Sequence, residues 1–264
     1  MLNTKLILLE GIPGSGKSTL SGRIHEYLTT RNIKTSLYLE GCDHPVDLPF
    51  YAYLTYKEFD HIIIEFPQQA ESIREFVIIE NDYILVPYKS PAIVPCNNDL
   101  LNYLRSKEVC YTSNPIISFH TFSEVFHNRF ERYTEKSVIS DDITIFESVL
   151  FQHQLHDIMR MYHIDKDKII NYLHSISQII GRLNPVLFYI SQNSVRESLI
   201  RTALVRSKPK WASEESITFC EKRKNIEFEA IEKLPINTYI IDNSDYNWDK
   251  VFDEIIRILS IETN

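Results

Sequence analysis

Half of the glycines in this chain lie in one short turn near its start, and this turn constrains the fold more than any other feature. Gly11, Gly14 and Gly16 are three of only six glycines in 264 residues. An apolar run at 6–9 precedes them, and a pattern with apolar residues at helical spacing follows at 17–31. The stretch LILLEGIPGSGKSTL therefore predicts a buried strand, a tight turn and a helix.

The turn has the spacing G-x-x-x-x-G-K-S, which is typical of a phosphate-binding loop, the Walker A motif. Glycines permit positive φ angles, so successive amides can point into one concavity at the start of a helix. Lys17 would then reach the terminal phosphates, and the Ser18 hydroxyl would hold Mg²⁺. A glycine-rich hairpin without a ligand is the alternative. The predicted nucleotide-binding residues are Gly11, Pro13, Gly14, Ser15, Gly16, Lys17, Ser18 and Thr19.

Strand-like and helix-like segments alternate along most of the chain. Apolar runs occur at 6–9, 35–39, 143–146, 186–190 and 238–241, with helical patterns at 17–31, 165–182, 195–206 and 248–259. This alternation predicts one α/β domain, a P-loop NTPase three-layer fold with a central five-stranded parallel sheet. The alternation of strands and helices is interrupted at about 45–140. We expect a mixed insertion there, with a helix at 58–74 and short strands at 76–79 and 83–86. The predicted core is 1–48 and 140–264, and 49–139 would form an insertion that acts as a substrate lid.

Two carboxylates follow predicted strands, where the ligand-binding edge of a parallel sheet is expected. Glu147 follows 143–146 and would hold Mg²⁺ together with Ser18; a glutamate that caps the next helix is the alternative. Glu40 follows the strand at 35–39 and is the candidate base for a substrate hydroxyl. Asp43 and His44 come next and are alternative candidates, or the whole segment is only a polar turn. The segment IIIEF at 62–66, an apolar run followed by a glutamate, is a weaker match to the same pattern.

Arginines recur after the strand at 186–190. Arg196, Arg201 and Arg206 lie five residues apart on a predicted helix, which spreads them around its surface. A planar guanidinium suits the charge that develops on a phosphoryl group in transfer. We expect Arg201 to point inward and Arg206, near the helix end, to be the more mobile, and both are catalytic candidates. A solvated helix face is the alternative.

Gln152 is a candidate for binding the second substrate. It lies five residues past Glu147, on the first turns of the next predicted helix, and offers one acceptor and two donors. Asp43 and His44 would face it across the cleft, with part of the insertion above. An ordinary exposed helix residue is the alternative.

Charge and cysteine usage exclude some classes of function. The net charge of −8 argues against nucleic-acid or membrane partners, which usually need a basic face. The start of the chain lacks the features of a signal peptide, and no apolar run approaches the length of a membrane span. The four cysteines form no C-x-x-C pair, so we expect reduced thiols in a cytoplasmic protein. A homodimer is left open.

These features together resemble the P-loop small-molecule kinases, above all the thymidylate-kinase and deoxynucleoside-kinase-like group. The segments FESVLFQHQL, LNPVLFYIS and RSKPKW also resemble uncharacterised bacterial proteins called thymidylate-kinase-like. The resemblance covers 1–48 and 140–264 and implies that Glu40 acts as base and that the backbone near 243–245 holds the nucleobase. The chain departs from the family at Ser148, since an arginine follows the strand-end acid in those kinases.

The sequence predicts an ATP- and Mg²⁺-dependent kinase that phosphorylates a small hydroxylated or phosphorylated acceptor, such as a nucleoside, a nucleotide or another metabolite. A nucleotide-dependent switch or slow NTPase that binds a protein partner is the first alternative. A kinase of nucleic-acid ends is the second, although the acidic charge counts against it.

Overall fold

The computed structural model describes residues 3–89 and 97–261. In chain order its strands are β1 (Leu6–Glu10), β2 (Thr35–Tyr38), β3 (Tyr51–Leu54), β4 (Ile78–Ile79), β5 (Ile84–Pro87), β6 (Ile143–Glu147), β7 (Val186–Ser191) and β8 (Asn237–Asp242). Its α-helices are α1 (Lys17–Thr29), α2 (Tyr56–Glu65), α3 (Ala70–Phe76), α4 (Asn98–Ser106), α5 (Phe119–Val138), α6 (His156–Met161), α7 (Lys166–Ile180), α8 (Val195–Val205), α9 (Glu214–Ile231) and α10 (Trp248–Ile261). A π-helix spans Val149–Leu155, and short 3₁₀ turns span Gly181–Leu183 and Pro209–Ala212.

The chain divides into two compact units, and the first contains the phosphate loop. This unit takes in Met1–Asp47, Ser123–Met159 and His163–Asn264. Its sheet has the order β2-β6-β1-β7-β8, and all four strand pairs are parallel. Because β1, β6 and β7 lie in the middle of the sheet, every residue of β1 and β6 and nearly all of β7 are buried. The predicted five-stranded parallel sheet is confirmed.

Helices cover both faces of this sheet. On one face, apolar side chains of α1 and α10 pack with β1, β6 and β7 in a single core, which includes Ile7, Leu9, Leu20, Ile24, Ile145, Phe188, Val251 and Ile255. On the other face, the Tyr133 ring of α5 lies 4.9 Å from the Phe146 ring, centroid to centroid. The Phe228 ring of α9 lies 5.3 Å from that of Tyr189. The result is the predicted three-layer α/β architecture.

The second unit takes in Leu48–Phe122 and Arg160–Tyr162. It has an antiparallel sheet with the order β3-β5-β4, packed with α2, α3 and α4 around its own apolar core. The expected single helix at 58–74 is wrong: α2 and α3 are separate, and Pro67 lies in the break between them because proline cannot continue a helix. The run IIIEF belongs to α2 and the turn after it, so it is not a strand-end acid.

The division into units assigns residues 123–139 to the first unit, whereas the sequence placed them in the insertion. A substrate-lid role for the second unit stays a prediction. Among the described residues, Cys42, Cys110 and Cys220 form no disulfide, and Cys96 lies outside those residues. Within the described ranges, the helices are too short or too polar to cross a bilayer.

Candidate functional site

The loop between β1 and α1 has the conformation that its glycines predict. Gly11, Gly14 and Gly16 have φ angles of 142°, 83° and 100°, and Gly16 is the N-cap residue of α1. These angles lie in a region that residues with a Cβ rarely adopt. The loop therefore wraps around the positive end of the α1 dipole, as a phosphate site requires.

The loop also needs glycine because other groups approach it closely. A Cβ on Gly14 would lie 1.8 Å from Thr202 Oγ1, and a Cβ on Gly16 would lie 1.9 Å from Trp248 Cζ3. Thr202 belongs to α8 and Trp248 begins α10. The loop is thus packed between residues that follow β7 and β8 in the chain.

Two hydrogen bonds hold the backbone of the loop from behind. The amide Nδ2 of Asn243, which directly follows β8, donates to the carbonyl of Ser15 at 3.0 Å. The Ser198 hydroxyl on α8 donates to the carbonyl of Pro13 at 3.1 Å. Both donors are buried, so water does not compete for these contacts and they fix the positions of the two carbonyls.

The Lys17 ammonium lies at the centre of the site with only 4% of the residue exposed. It donates to the carbonyls of Gly11 at 2.9 Å and Ile12 at 3.1 Å, and to Gln152 Oε1 at 3.1 Å. Burial lowers the pKa of Lys17, whereas the nearby carboxylates of Glu147 and Glu40 oppose this shift. The side chain is thus held at the phosphate loop by three acceptors.

Ser18 and Glu147 meet beside the loop, as the sequence predicted for a magnesium site. The Ser18 hydroxyl donates to Glu147 Oε1 at 2.7 Å, and the backbone amide of Glu40 donates to Glu147 Oε2 at 3.1 Å. A hydroxyl and a carboxylate are oxygen ligands of the kind that Mg²⁺ prefers, with substrate phosphates supplying others. These two residues fit the ion. Among the described residues, no group of three or more His, Cys, Asp or Glu offers a metal site.

The segment after β6 turns sharply and carries Gln152 into the site. Ser148 has a φ of 70°, and a π-helix begins directly after it. Gln152 lies in this π-helix, and its Nε2 donates to Glu40 Oε2 at 2.6 Å while its oxygen accepts from Lys17. Single-turn π-helices often occur at functional sites. Gln152 therefore bridges the loop lysine and the candidate base.

These groups line one cavity of about 220 Å³. The same cavity is also lined by Arg201, Arg206, Trp211, Tyr246 and Trp248. The Arg201 guanidinium carbon lies 3.6 Å from the centroid of the Tyr246 ring, and that of Arg206 lies 5.6 Å from Trp211. Both predicted arginines thus reach the cavity, next to aromatic residues that sequence reasoning missed.

Arg196 is held elsewhere. Its guanidinium forms two hydrogen bonds to the Glu214 carboxylate, at 2.5 and 2.7 Å. The pair is exposed, and Arg196 is absent from the described residues that line the cavity. This arginine links α8 to α9.

Asp43 and His44 are not among the described residues that line the cavity with Gln152. Asp43 is exposed, whereas His44 is buried and its Nδ1 accepts from the amides of Val46 at 3.2 Å and Asp47 at 3.1 Å. Burial lowers the pKa of His44 to about 3, so the ring is neutral. In this geometry His44 holds the turn, and the substrate-binding role of Asp43 and His44 stays a prediction.

Glu10, at the end of β1, is a further buried acid beneath the site. Its Oε1 accepts from the amide of Leu150 at 2.6 Å and so fixes the start of the π-helix. Its Oε2 has no hydrogen-bond partner within the described part of the chain. Burial raises the pKa of Glu10 to about 7, against the opposing effects of the Leu150 amide and Lys17.

Replacing Glu10 by glutamine is expected to remove part of the pH dependence of the free energy of unfolding. The folded-state pKa of about 7 lies above the ordinary 4.5, so the folded state holds the Glu10 proton more tightly than the unfolded state does. The resulting contribution to the free energy of unfolding is fully present below pH 4.5 and is lost as the pH rises to 7. The loss is on the order of 3 kcal/mol. Urea denaturation at about pH 5 and about pH 8 measures it. Glu26→Gln, at an exposed position of α1, is the control; equal pH dependence in wild type and Glu10→Gln would contradict the shift.

Comparisons with known proteins find similarity among solved structures, including two at low sequence identity. No protein-family model and no curated protein sequence matches the chain. One similar solved structure is the YorR protein from Bacillus subtilis in complex with phosphorylated GDP, at 12% identity and a TM-score of 0.48, covering 98% of this chain and 97% of that one. Another is thymidylate kinase from Ehrlichia chaffeensis, at 16% identity and a TM-score of 0.42, covering 96% and 97%. Both scores are below 0.5, so the fold assignment, that of a P-loop α/β fold with a five-stranded parallel sheet, rests on the strand order and the loop geometry.

Proposed function

We propose that the protein is an ATP- and Mg²⁺-dependent kinase that transfers the γ-phosphoryl group to a small hydroxylated or phosphorylated acceptor. The observation that carries this proposal is the meeting of three kinds of group at one cavity. A buried lysine lies at a phosphate loop, a hydroxyl and a carboxylate are suited to Mg²⁺, and a second carboxylate, Glu40, lies opposite the lysine.

The loop side of the cavity is suited to the donor nucleotide. The loop amides and Lys17 would hold the β- and γ-phosphates, and Ser18 and Glu147 would hold Mg²⁺, which neutralises phosphate charge when bound. Arg201 and Arg206 are exposed and line the same cavity as the loop. A guanidinium there can approach the equatorial oxygens of the phosphoryl group. Trp211, Tyr246 and Trp248 offer ring faces on which a nucleobase can stack.

The Glu40 side is suited to a hydroxyl acceptor. The acceptor oxygen bonds to the γ-phosphorus while the bond from phosphorus to the β–γ bridging oxygen breaks, and the nucleoside diphosphate leaves. The hydroxyl proton passes to the Glu40 carboxylate and then to solvent. The Gln152 amide holds Glu40 by its Oε2, and Oε1 would accept this proton. A phosphorylated acceptor would need no base, because its attacking oxygen is already deprotonated near neutral pH.

Replacing Glu40 by glutamine is expected to lower the kcat of phosphoryl transfer by about 10²–10⁴-fold, because the acceptor hydroxyl loses its base. The ATP dissociation constant should change by less than about twofold, since the described hydrogen bond of the Glu40 side chain is to Gln152 and not to the loop. Steady-state kinetics and ATP titration measure the two effects. Glu26→Gln, at an exposed position of α1, is the matched control. Wild-type turnover in Glu40→Gln would remove Glu40 from the mechanism.

The function itself is tested by incubating the protein with Mg·ATP and a pool of metabolites, then searching by mass spectrometry for a new phosphorylated species. A new phosphorylated species supports the kinase function and identifies the acceptor. Release of phosphate with no phosphorylated acceptor would contradict it in favour of a slow NTPase. A cytoplasmic location and a homodimer stay predictions.

A further inference from the structure

An ion pair between Asp47 and His153 is buried beside the cavity, and the proposed reaction does not use it. His153 Nδ1 lies 2.9 Å from Asp47 Oδ2, and both side chains are 2% exposed. Asp47 ends the segment 40–47 that follows β2, and His153 lies in the π-helix. The pair therefore joins two segments that are far apart in the chain.

His153 lies next in sequence to a group at the cavity, and Asp47 belongs to the turn that follows Glu40 in the chain. His153 directly follows Gln152, whose amide donates to Glu40 at 2.6 Å. Asp47 shares a turn with His44, whose ring accepts from the amide of Asp47. The Gln152–Glu40 contact is open to solvent, so by itself it fixes the two segments weakly. The buried pair supplies a second link that water does not screen.

The charge on His153 depends on its partner. Burial alone would lower the pKa of His153, but the Asp47 carboxylate, with smaller effects of Glu40 and Glu10, outweighs burial and raises the pKa to about 9. The imidazolium therefore stays charged at neutral pH. Removing either partner breaks an ion pair that is buried on both sides, which costs more than the loss of an exposed pair.

We propose that Asp47 and His153 are positioning residues, and that their ion pair holds Glu40 in place opposite Lys17 by joining the segment 40–47 to the π-helix. The claim that the pair joins these two segments does not depend on the proposed function. Its consequence for catalysis rests on the proposed function.

The test compares Asp47→Asn, His153→Gln and the double variant with wild type. His61→Gln is the matched control, because it breaks an exposed histidine–carboxylate pair, with Glu65 at 3.1 Å. Hydrogen exchange should become at least about tenfold faster at the amides of the segment 40–47 in each single variant. The double variant should recover part of the protection, since it removes both charges of the pair together.

Two further measurements separate positioning from general stability. The ATP dissociation constant should stay within about twofold, whereas the kcat of phosphoryl transfer should fall by at least about tenfold in the single variants and partly recover in the double variant. Unchanged exchange in folded single variants would overturn the proposal. So would a loss of ATP affinity in proportion to the loss of turnover. Should a single variant not fold, comparison of the double variant with wild type decides, and wild-type exchange and turnover there would overturn the proposal.

The two proposals fail in different ways. If wild type transfers no phosphoryl group but the single variants exchange faster in the segment 40–47, the link between the segments is supported and the kinase function is rejected. If wild type is an active kinase and the variants match it, the kinase stands and the positioning role is rejected.

Discussion

Replacing Lys17 by methionine is expected to weaken ATP binding by roughly 10- to 150-fold, since one charge-assisted contact to phosphate is worth about 1.5–3 kcal/mol. Phosphoryl transfer should fall further, by about 10²–10³-fold in kcat, because the lysine stabilises charge that develops on the transferred group. Methionine preserves most of the length of the side chain and its apolar contacts, so the change isolates the ammonium.

The structure indicates why this substitution should leave the fold intact. Burial of Lys17 disfavours its charged form, so methionine removes a desolvation cost together with the contacts to Gly11, Ile12 and Gln152. Lys34→Met is the control, because Lys34 is exposed and paired with Asp142 at 2.8 Å. Calorimetric titration with ATP, with thermal unfolding as the check on the fold, measures the effect. A folded Lys17→Met protein that binds ATP as tightly as wild type would overturn the loop assignment.

The core of the fold was predictable because its signals are local. The strands β1, β6 and β7 are buried on both faces and read as continuous apolar runs. By contrast, α9 was missed because Arg223 and Glu227 occupy buried positions on it, where an apolar residue is expected. Their side chains pair with each other at 2.8 Å inside the protein. A pattern of apolar spacing cannot reveal a helix whose inner face carries buried charges, here paired with each other and with the Tyr189 hydroxyl.

The candidate site was predictable where chain spacing determines the geometry. One motif predicts the loop with Ser18, and one strand end predicts Glu147. In the structure Ser18 Oγ lies 2.7 Å from Glu147 Oε1. Trp211, Tyr246 and Trp248 left no such signal, because they come from separate connections that only the fold brings to the cavity. The expectation for His44 did not account for burial, which makes its ring an acceptor for backbone amides.

Replacing Gly16 by alanine is expected to disrupt the phosphate site as severely as the loss of the lysine. A Cβ there would lie 1.9 Å from Cζ3 and 2.6 Å from Cη2 of Trp248, and the φ angle of 100° is itself unfavourable for alanine. Left-handed strain costs about 1–2 kcal/mol and overpacking about 1–3 kcal/mol, so the loop must shift. Misplaced amides lose the phosphates, and ATP affinity should fall by at least about 30-fold.

The same chain supplies a close control for this change. Gly22 lies within α1, and a Cβ added there has no described atom within 4 Å. Gly22→Ala should stabilise the protein by about 0.5–1 kcal/mol with ATP affinity unchanged, because alanine favours the helix. In Gly16→Ala/Trp248→Ala the collision is relieved but the backbone strain is not, so ATP affinity should recover only in part. Wild-type affinity in Gly16→Ala would show that the loop does not bind phosphate through the conformation described, since that conformation has no room for a Cβ.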